Sequence, residues 1–299
     1  MKIFFITFLF IFFNYLVIAQ TKKIWTGEDS ITIIDPPEEE KLIKKGEYSK
    51  ALNMCLQKRA LNPNDLELKF MIAEIYDILQ MPDSVYYTLK PIWNEPTVQY
   101  KILFSRTLYN LWFSGKYDSI LHDLSARFYT KHILKKYHPI VEDIIKMGIR
   151  DQYHRLLPNA QTNDSLLKIL RRNDSVNTNV LQKIIQHYSL PKKQEISPEL
   201  YNIVMLILNH TSNLKLKEKV LPIIKNRCLN DDKDDCVEYA MIYDKYTMLK
   251  YHYQYYGTQF CYDKQNNAYD YCPIFEIDNL NKRRSAIKLY PIIINHKKQ

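Results

Sequence analysis

The chain has 299 residues, a formal net charge of +9 and only five glycines. So few glycines exclude a phosphate-cradling loop and a dinucleotide-binding fingerprint, because both motifs need several glycines at short, fixed spacing. The basic residues are dispersed in pairs and triplets, which is typical of solvated helix faces, and we expect no nucleic-acid partner.

The N-terminal segment has the pattern of a secretory signal peptide. Lys2 precedes an apolar run from Ile3 to Phe13, and the small residue Ala19 stands where a signal peptidase would cleave. We predict that residues 1–19 are removed and that residues 20–31 form a linker. An uncleaved membrane anchor is the alternative, because the run approaches the length that spans a bilayer. No later run is long enough for a membrane span, so the mature protein is expected to be periplasmic or secreted.

Export into an oxidising compartment makes disulfide bonds an expectation. A two-residue turn at Asn266-Asn267 would place Cys261 directly opposite Cys272 on two antiparallel strands. A second pair brackets an acidic loop, and Cys55 is then left over as a small core residue. The two bridges that we consider are therefore Cys261–Cys272 and Cys228–Cys236.

Residues 32–133 are predicted to form an array of helix pairs. Gly46, Gly115 and Gly148 lie 69 and 33 residues apart, with Gln80 in the place of a missing glycine. This spacing indicates a period of about 34 residues, and such periods are typical of stacked helix-turn-helix units.

The units resemble tetratricopeptide repeats. The matching positions are Gly46, Tyr48, Ala51, Pro63, Ala73, Tyr76, Gly115 and Tyr117. The resemblance implies a groove that binds an extended peptide or a helix of a partner protein, because each unit contacts only its neighbours and leaves one continuous surface. The alternative is a rigid spacer that supports the rest of the chain.

Residues 134–299 are predicted to form a second, helical domain without the repeat. Ser197 is expected to cap a helix that begins at Pro198. Aromatic residues crowd a polar turn between residues 252 and 275, which predicts a β-hairpin. The fold class is therefore mainly α: a short helix-turn-helix repeat array followed by a helical domain with one β-hairpin. Helices are expected around 136–147, 149–157, 165–172, 176–189, 198–210, 214–229 and 235–249, and from about Asp278.

The second domain resembles the bacterial domain of unknown function numbered 6624 over about Tyr137 to Tyr290. The firmest matches are the run from Gln254 to Gln259 and the pair Arg283-Arg284. The resemblance implies a domain name and no established activity. Further matching positions are Asp151, Arg155, Asp174, Asn177, His210 and Asp244.

Polar residues of this domain form a candidate pocket. A histidine beside an aspartate can act as a general base, so His210 and Asp244 are the candidate catalytic pair. Arginine suits phosphate or carboxylate groups, and glutamine offers a donor and an acceptor to a sugar or an amide. A structural alternative stands beside each role: the histidine could cap helix carbonyls, and the arginines could pair with helix faces. The candidate ligand-binding residues are Gln254, Tyr256, Gly257, Thr258, Gln259, Arg283 and Arg284.

Three functions are compatible with these features. The leading interpretation is a protein-binding, scaffolding component of the cell envelope, because no complete catalytic set is recognisable. The second is a hydrolase-like enzyme with His210 and Asp244 as acid and base and the two arginines binding an anion. The third is binding of an envelope polysaccharide by a tyrosine-rich hairpin that includes Tyr253 and Tyr271. No cofactor and no metal site are expected, since the acidic run at 231–235 lacks the spacing of a calcium loop.

Overall fold

The computed structural model describes residues 36–129, 133–157, 160, 163–230, 234–263 and 268–294. The predicted signal peptide and linker lie outside these residues. Within the described residues there are fourteen α-helices and one two-stranded antiparallel sheet. The mainly α fold class with a single β-hairpin is therefore confirmed.

The described residues divide into two compact units, with boundaries at 125/126, 151/152 and 170/171. The predicted boundary between residues 133 and 134 stays a prediction. The helices that begin in the first unit before residue 126 are α1 (Glu38–Lys44), α2 (Tyr48–Leu61), α3 (Leu66–Ile78), α4 (Pro82–Leu89), α5 (Pro96–Phe104), α6 (Tyr109–Phe113) and α7 (Asp118–Tyr129). The later elements are α8 (Val141–Leu156), α9 (Asp164–Tyr188), α10 (Lys193–Ile196), α11 (Pro198–His210), α12 (Leu214–Asn230), α13 (Asp234–Tyr251), β1 (Phe260–Asp263), β2 (Ala268–Tyr271) and α14 (Leu280–Ala286).

Three tight turns join helix pairs in the first unit. Gly46, Gln80 and Gly115 have φ angles of 76°, 59° and 73°, and they lie between α1 and α2, α3 and α4, and α6 and α7. A positive φ is the left-handed conformation that often ends a helix. Gln80 adopts this conformation although it is not a glycine. It lies where the spacing of the glycines predicts a turn residue.

Successive helix pairs of the first unit are joined by a buried carboxylate. Asp77 is fully buried at the end of α3, and its two oxygens accept hydrogen bonds from the main-chain N–H groups of Asn110 and Leu111, at 2.9 and 2.8 Å. These two residues lie in the first turn of α6, so Asp77 supplies acceptors that the helix start lacks. Burial raises the pKa of Asp77 to about 7, and the N–H donors oppose that rise.

Gly148 does not belong to the predicted series of regularly spaced turn glycines. It lies inside α8 and joins no helix pair. A Cβ at this position would lie 2.9 Å from Cδ1 and 3.0 Å from Cγ1 of Ile203, which belongs to α11. The glycine is therefore explained by the close approach of α8 and α11 and not by a turn.

We predict that Gly148→Ala destabilises the chain by about 1 kcal/mol. The overpacking cost of about 1–3 kcal/mol exceeds the gain of about 1 kcal/mol that alanine brings to a helix interior. Urea unfolding of Gly148→Ala, with and without Ile203→Val, measures this balance. The second substitution should recover part of the loss, and a Gly148→Ala chain as stable as wild type would contradict the close contact.

Two predicted helix boundaries in the second half of the chain are wrong. The stretches 136–147 and 149–157 meet in the single helix α8, and the stretches 165–172 and 176–189 lie in the 25-residue helix α9. Asn177, which lies inside the second of these helices, contacts α8. Asn177 donates from Nδ2 to the carbonyl of Met147 at 3.0 Å, so its amide joins two helices.

Ser197 does not cap α11 with its side chain. The helix begins at Pro198 as predicted, but Ser197 has a φ angle of 75° and makes no capping hydrogen bond. Its hydroxyl oxygen is buried and, among the described residues, has no hydrogen-bond partner. A capping residue usually has a negative φ angle in the extended region, which Ser197 lacks, so the proline alone marks this helix start.

The β-hairpin has a different register from the predicted one. β1 and β2 pair with Phe260 opposite Tyr271 and Cys261 opposite Asp270, so Cys261 and Cys272 are not directly opposite. The side-chain amide of Gln254 donates to the carbonyls of Gln259 and Cys272, which fixes those two residues opposite each other. The connection between the strands is therefore four residues long, not two.

Two disulfide bonds are nevertheless present. Cys261 and Cys272 are bonded with their Cα atoms 4.9 Å apart, diagonally across the hairpin. Cys228 at the end of α12 is bonded to Cys236 at the start of α13, with a Cα separation of 4.4 Å. Cys55 is unbridged and buried in the core of the first unit. Such bridges are typical of proteins that fold in an oxidising compartment.

Candidate functional site

Asp244 anchors the turn that follows α13. It is fully buried, and one carboxylate oxygen accepts from the main-chain N–H groups of Tyr255 and Tyr256 at 2.6 and 2.7 Å. The other oxygen accepts from the N–H and the hydroxyl of Thr258 at 2.9 and 2.8 Å. Burial raises the pKa of Asp244, and these donors oppose the rise. Both oxygens are thus engaged in shaping the 255–258 turn.

The two glutamines hold the base of the same turn. Besides the two carbonyls that it binds, Gln254 accepts at Oε1 from the main-chain N–H of Gln259 at 2.7 Å. Gln259 in turn donates from Nε2 to the carbonyl of Met241 in α13 at 3.2 Å. Between them, Gly257 has a φ angle of 70°, and a Cβ there would lie 3.0 Å from Ile292. The positive φ and the close contact both favour glycine.

The two arginines bind main-chain carbonyls around this turn. Arg283 donates from Nε to the carbonyl of Tyr255 at 2.8 Å and from its terminal nitrogens to the carbonyls of Phe275 and Glu276. Its guanidinium also lies over the Tyr255 ring, 4.5 Å from the centroid. Arg284 donates to the carbonyls of Tyr256 and Tyr290 at 2.6 and 2.7 Å, and burial lowers its pKa. Both side chains therefore clamp the backbone.

The tyrosines of this region pack mainly against one another. Tyr256 is buried, with its ring edge-on to Tyr239 and Tyr243 at centroid distances of 5.9 and 5.6 Å. Tyr253 is stacked between Tyr251 and Phe275, at 5.7 and 5.0 Å. Tyr271 packs against Phe260 across the hairpin at 4.6 Å. The predicted ligand-binding set thus surrounds one turn, and the contacts described above are with the protein itself.

The carboxylate partner of His210 is Asp151 and not Asp244. Nδ1 of His210, at the end of α11, is 2.9 Å from both oxygens of Asp151 in α8. Asp151 is buried, with 1% of its side chain exposed, whereas His210 keeps 22% exposed. Within the described residues, no hydrogen bond joins His210 to Asp244. The two residues of the candidate pair are therefore not hydrogen-bonded to each other, and His210 pairs with Asp151.

The end of α11 beside His210 is held by a buried hydroxyl pair and a buried lysine. The hydroxyls of Thr211 and Thr178 are 2.7 Å apart and buried. Lys217 of α12 is fully buried, and its Nζ donates to the carbonyls of Leu208 and Asn209. Burial lowers the pKa of Lys217 to about 7, with a smaller contribution from the charge of Lys245. A cation at a helix C-terminus binds the carbonyls that the helix leaves unpaired.

Sequence reasoning missed Asp151 and Lys217 as members of this cluster. Asp151 lies 59 residues before His210 on another helix, so no local spacing connects them. The available signal was its place among the positions that match the domain of unknown function. Lys217 stands in a lysine-rich stretch that has the pattern of a solvated helix face, and nothing in the sequence distinguishes it from its neighbours.

These features define a mainly α-helical, disulfide-bonded protein with one clamped turn and one histidine–aspartate pair. Among the described residues, no three histidine, cysteine, aspartate or glutamate side chains are grouped as metal ligands. No helix in the described ranges has the length and apolar content needed to cross a membrane.

Residues 145–296 match the family described as "Family of unknown function (DUF6624)", which covers half of the chain. The chain belongs to this family. Asp151, His210, Asp244 and the clamped turn all lie in the matched region. Comparison with curated proteins gives no match, and comparison with solved structures gives none either.

Proposed function

We propose that the protein is an exported, protein-binding component of the cell envelope, and that its first unit recognises the partner. In this proposal helices α1–α7 act as tetratricopeptide-like repeats, and the contact surface includes Tyr87 on α4. The observation that carries the proposal is the 67% exposure of Tyr87 above an ordered aromatic cluster.

The period of the contacts in the first unit supports the repeat interpretation. Hydrogen bonds or ion pairs link residues 33 or 34 positions apart, which is the spacing of equivalent positions in adjacent units. The linked pairs are Glu67 with Lys101, Asp77 with Asn110 and Leu111, and Asp83 with Lys116 and Tyr117. A regular array of this kind offers a surface that can follow an extended peptide.

The aromatic cluster supports Tyr87 as an anchor for a partner. Its ring is edge-on to Tyr86 at 5.4 Å, and Tyr86 is stacked on Tyr117 at 4.6 Å and packs against Trp93 at 6.1 Å. The exposed ring therefore rests on side chains that are already ordered, so little conformational entropy is lost when it binds. Tyrosine is also among the residues that most often dominate binding energy at protein interfaces.

The export part of the proposal rests on two independent features. The N-terminal pattern with cleavage after Ala19 is typical of a secretory signal peptide. The bridges Cys228–Cys236 and Cys261–Cys272 are compatible with folding in the periplasm or outside the cell.

Affinity capture with the tagged full-length chain, expressed in its native cells, tests the proposal. Tyr87→Ala should weaken capture of a specific partner about thirty-fold, since loss of an interface anchor costs roughly 2 kcal/mol or more. Tyr290→Ala is the matched control, because this tyrosine is 66% exposed in the other unit.

The control should capture the partner as well as wild type. Unchanged capture by Tyr87→Ala would overturn the proposal. Loss of a protein or an envelope polysaccharide only in Tyr290→Ala would also overturn it, because recognition would then lie outside the repeat unit.

A further inference from the structure

We infer that His210 and Asp151 form a general acid–base dyad that activates water against an acyl group, such as an ester or an amide. This activity goes beyond the proposed protein binding and uses the other unit of the chain.

The hydrogen bond to Asp151 prepares the histidine for this role. A carboxylate accepts and cannot donate, so it holds the proton of a neutral imidazole on Nδ1 and leaves the lone pair on Nε2. Within the described residues, Nε2 makes no hydrogen bond, and 22% of the His210 side chain is exposed to water. A buried orienting carboxylate beside a partly exposed histidine is an arrangement that suits general-base catalysis.

The packing of α8 against α11 explains why the two side chains meet. Asp151 lies three residues after Gly148, and His210 lies seven residues after Ile203, so each pair shares one face of its helix. The missing Cβ at Gly148 lets these two faces approach closely, with Ile203 filling the space. The hydroxyls of Thr211 and Thr178 then fix the chain next to the imidazole. The dyad is therefore held by rigid helices on both sides.

The engagement of three cations of this domain with main-chain carbonyls favours an uncharged acyl group over a phosphate as the electrophile. Arg283 and Arg284 donate to main-chain carbonyls, and Nζ of Lys217 donates to the carbonyls of Leu208 and Asn209. Phosphoryl transfer depends on cations that neutralise the developing charge. Acyl hydrolysis by an imidazole base does not need such a clamp.

The reaction can be written with water as the other reactant. The water oxygen bonds to the carbonyl carbon while Nε2 takes one of the water protons. The tetrahedral intermediate then breaks its bond to the leaving oxygen or nitrogen, which takes the proton back from Nε2. A carboxylic acid and an alcohol or amine are released, and the imidazole returns to its starting form. Asp151 is a positioning residue, since it acts through the histidine in this scheme.

Hydrolysis of p-nitrophenyl acetate by the full-length chain tests the dyad. His210→Gln and Asp151→Asn should each lower the second-order rate constant at least about ten-fold, given the usual contribution of a general base. His252→Gln is the matched control, because His252 is exposed and should leave the rate within about two-fold of wild type, the scatter expected of a bystander. A His210→Gln chain that hydrolyses the ester as fast as wild type would overturn the inference.

A measurement on the wild-type chain tests the dyad even if the variants fail to fold. Nitrogen-15 NMR of the imidazoles should show the neutral His210 ring with its proton on Nδ1. In a folded Asp151→Asn chain this preference for the Nδ1 proton should weaken, and the reactivity of Nε2 should fall with it. A contact with a purely structural role would leave the reactivity of Nε2 unchanged. A neutral ring protonated on Nε2 in wild type would overturn the dyad regardless of the kinetics.

Discussion

Asp244→Ala is expected to lower the free energy of unfolding by about 3–5 kcal/mol, the range for losing a buried, fully bonded charged partner. The substitution leaves three main-chain N–H groups and the hydroxyl of Thr258 without their acceptor. The turn that Gln254 and the two arginines hold should then loosen as a unit. Urea unfolding followed by circular dichroism measures the loss.

Two further variants make this prediction specific. Asp278→Ala removes an exposed carboxylate and should change stability by no more than about 0.5 kcal/mol. Asp244→Asn keeps one acceptor oxygen but presents an N–H₂ group to one set of donors. Its free energy of unfolding should therefore lie between those of wild type and Asp244→Ala. A loss below about 1 kcal/mol in Asp244→Ala would contradict the structural role of this carboxylate.

Lys217→Met is expected to remove a pH dependence of stability from the chain. Burial lowers the pKa of Lys217 to about 7 in the folded chain, whereas the pKa of an unfolded lysine is about 10.4. Between these values the unfolded chain binds more protons, so wild-type stability rises with pH. Relative to Lys217→Met, the rise should approach about 1.4 kcal/mol per pH unit between roughly pH 7 and 10.

The comparison with the variant separates Lys217 from other groups. Burial raises the pKa of Cys55 to about 11, which gives wild-type stability an opposite slope above the usual thiol range. Because Cys55 is present in both chains, its effect cancels in the difference. Lys219→Met, which removes an exposed lysine from the same helix, should leave the wild-type slope unchanged. Parallel curves for wild type and Lys217→Met would show that Lys217 stays charged when folded.

Features encoded in a few neighbouring residues were predictable from the sequence. The helix from Pro198 to His210 was predicted with its observed limits, because proline and a regular apolar stripe define it locally. The turn at Gln80 followed from the period. The ends of α8 and α9 were not predicted, because contacts between the helices, such as that of Asn177 with Met147, are not visible in the local sequence.

The candidate site was predictable only as a set of residues. The resemblance to the family pointed to Asp244, the glutamines and the arginines, but most of their partners are main-chain groups that carry no residue identity in a sequence. The partner of His210 is set by the approach of two helices at Gly148 and Ile203, and this contact is visible only in three dimensions. The chemistry of single residues therefore indicates which residues are candidates for a site, and the packing of the helices determines which partner each candidate has.

Site-specific photo-crosslinking in native cells tests the proposed recognition surface most directly. A benzophenone amino acid in place of Tyr87 is compared with the same group in place of Tyr290, two side chains of almost equal exposure in different units. Recognition by the repeat unit predicts a discrete, higher-mass protein adduct from position 87 and none from position 290. An adduct from position 290 alone, or from neither position, would contradict recognition through the Tyr87 surface.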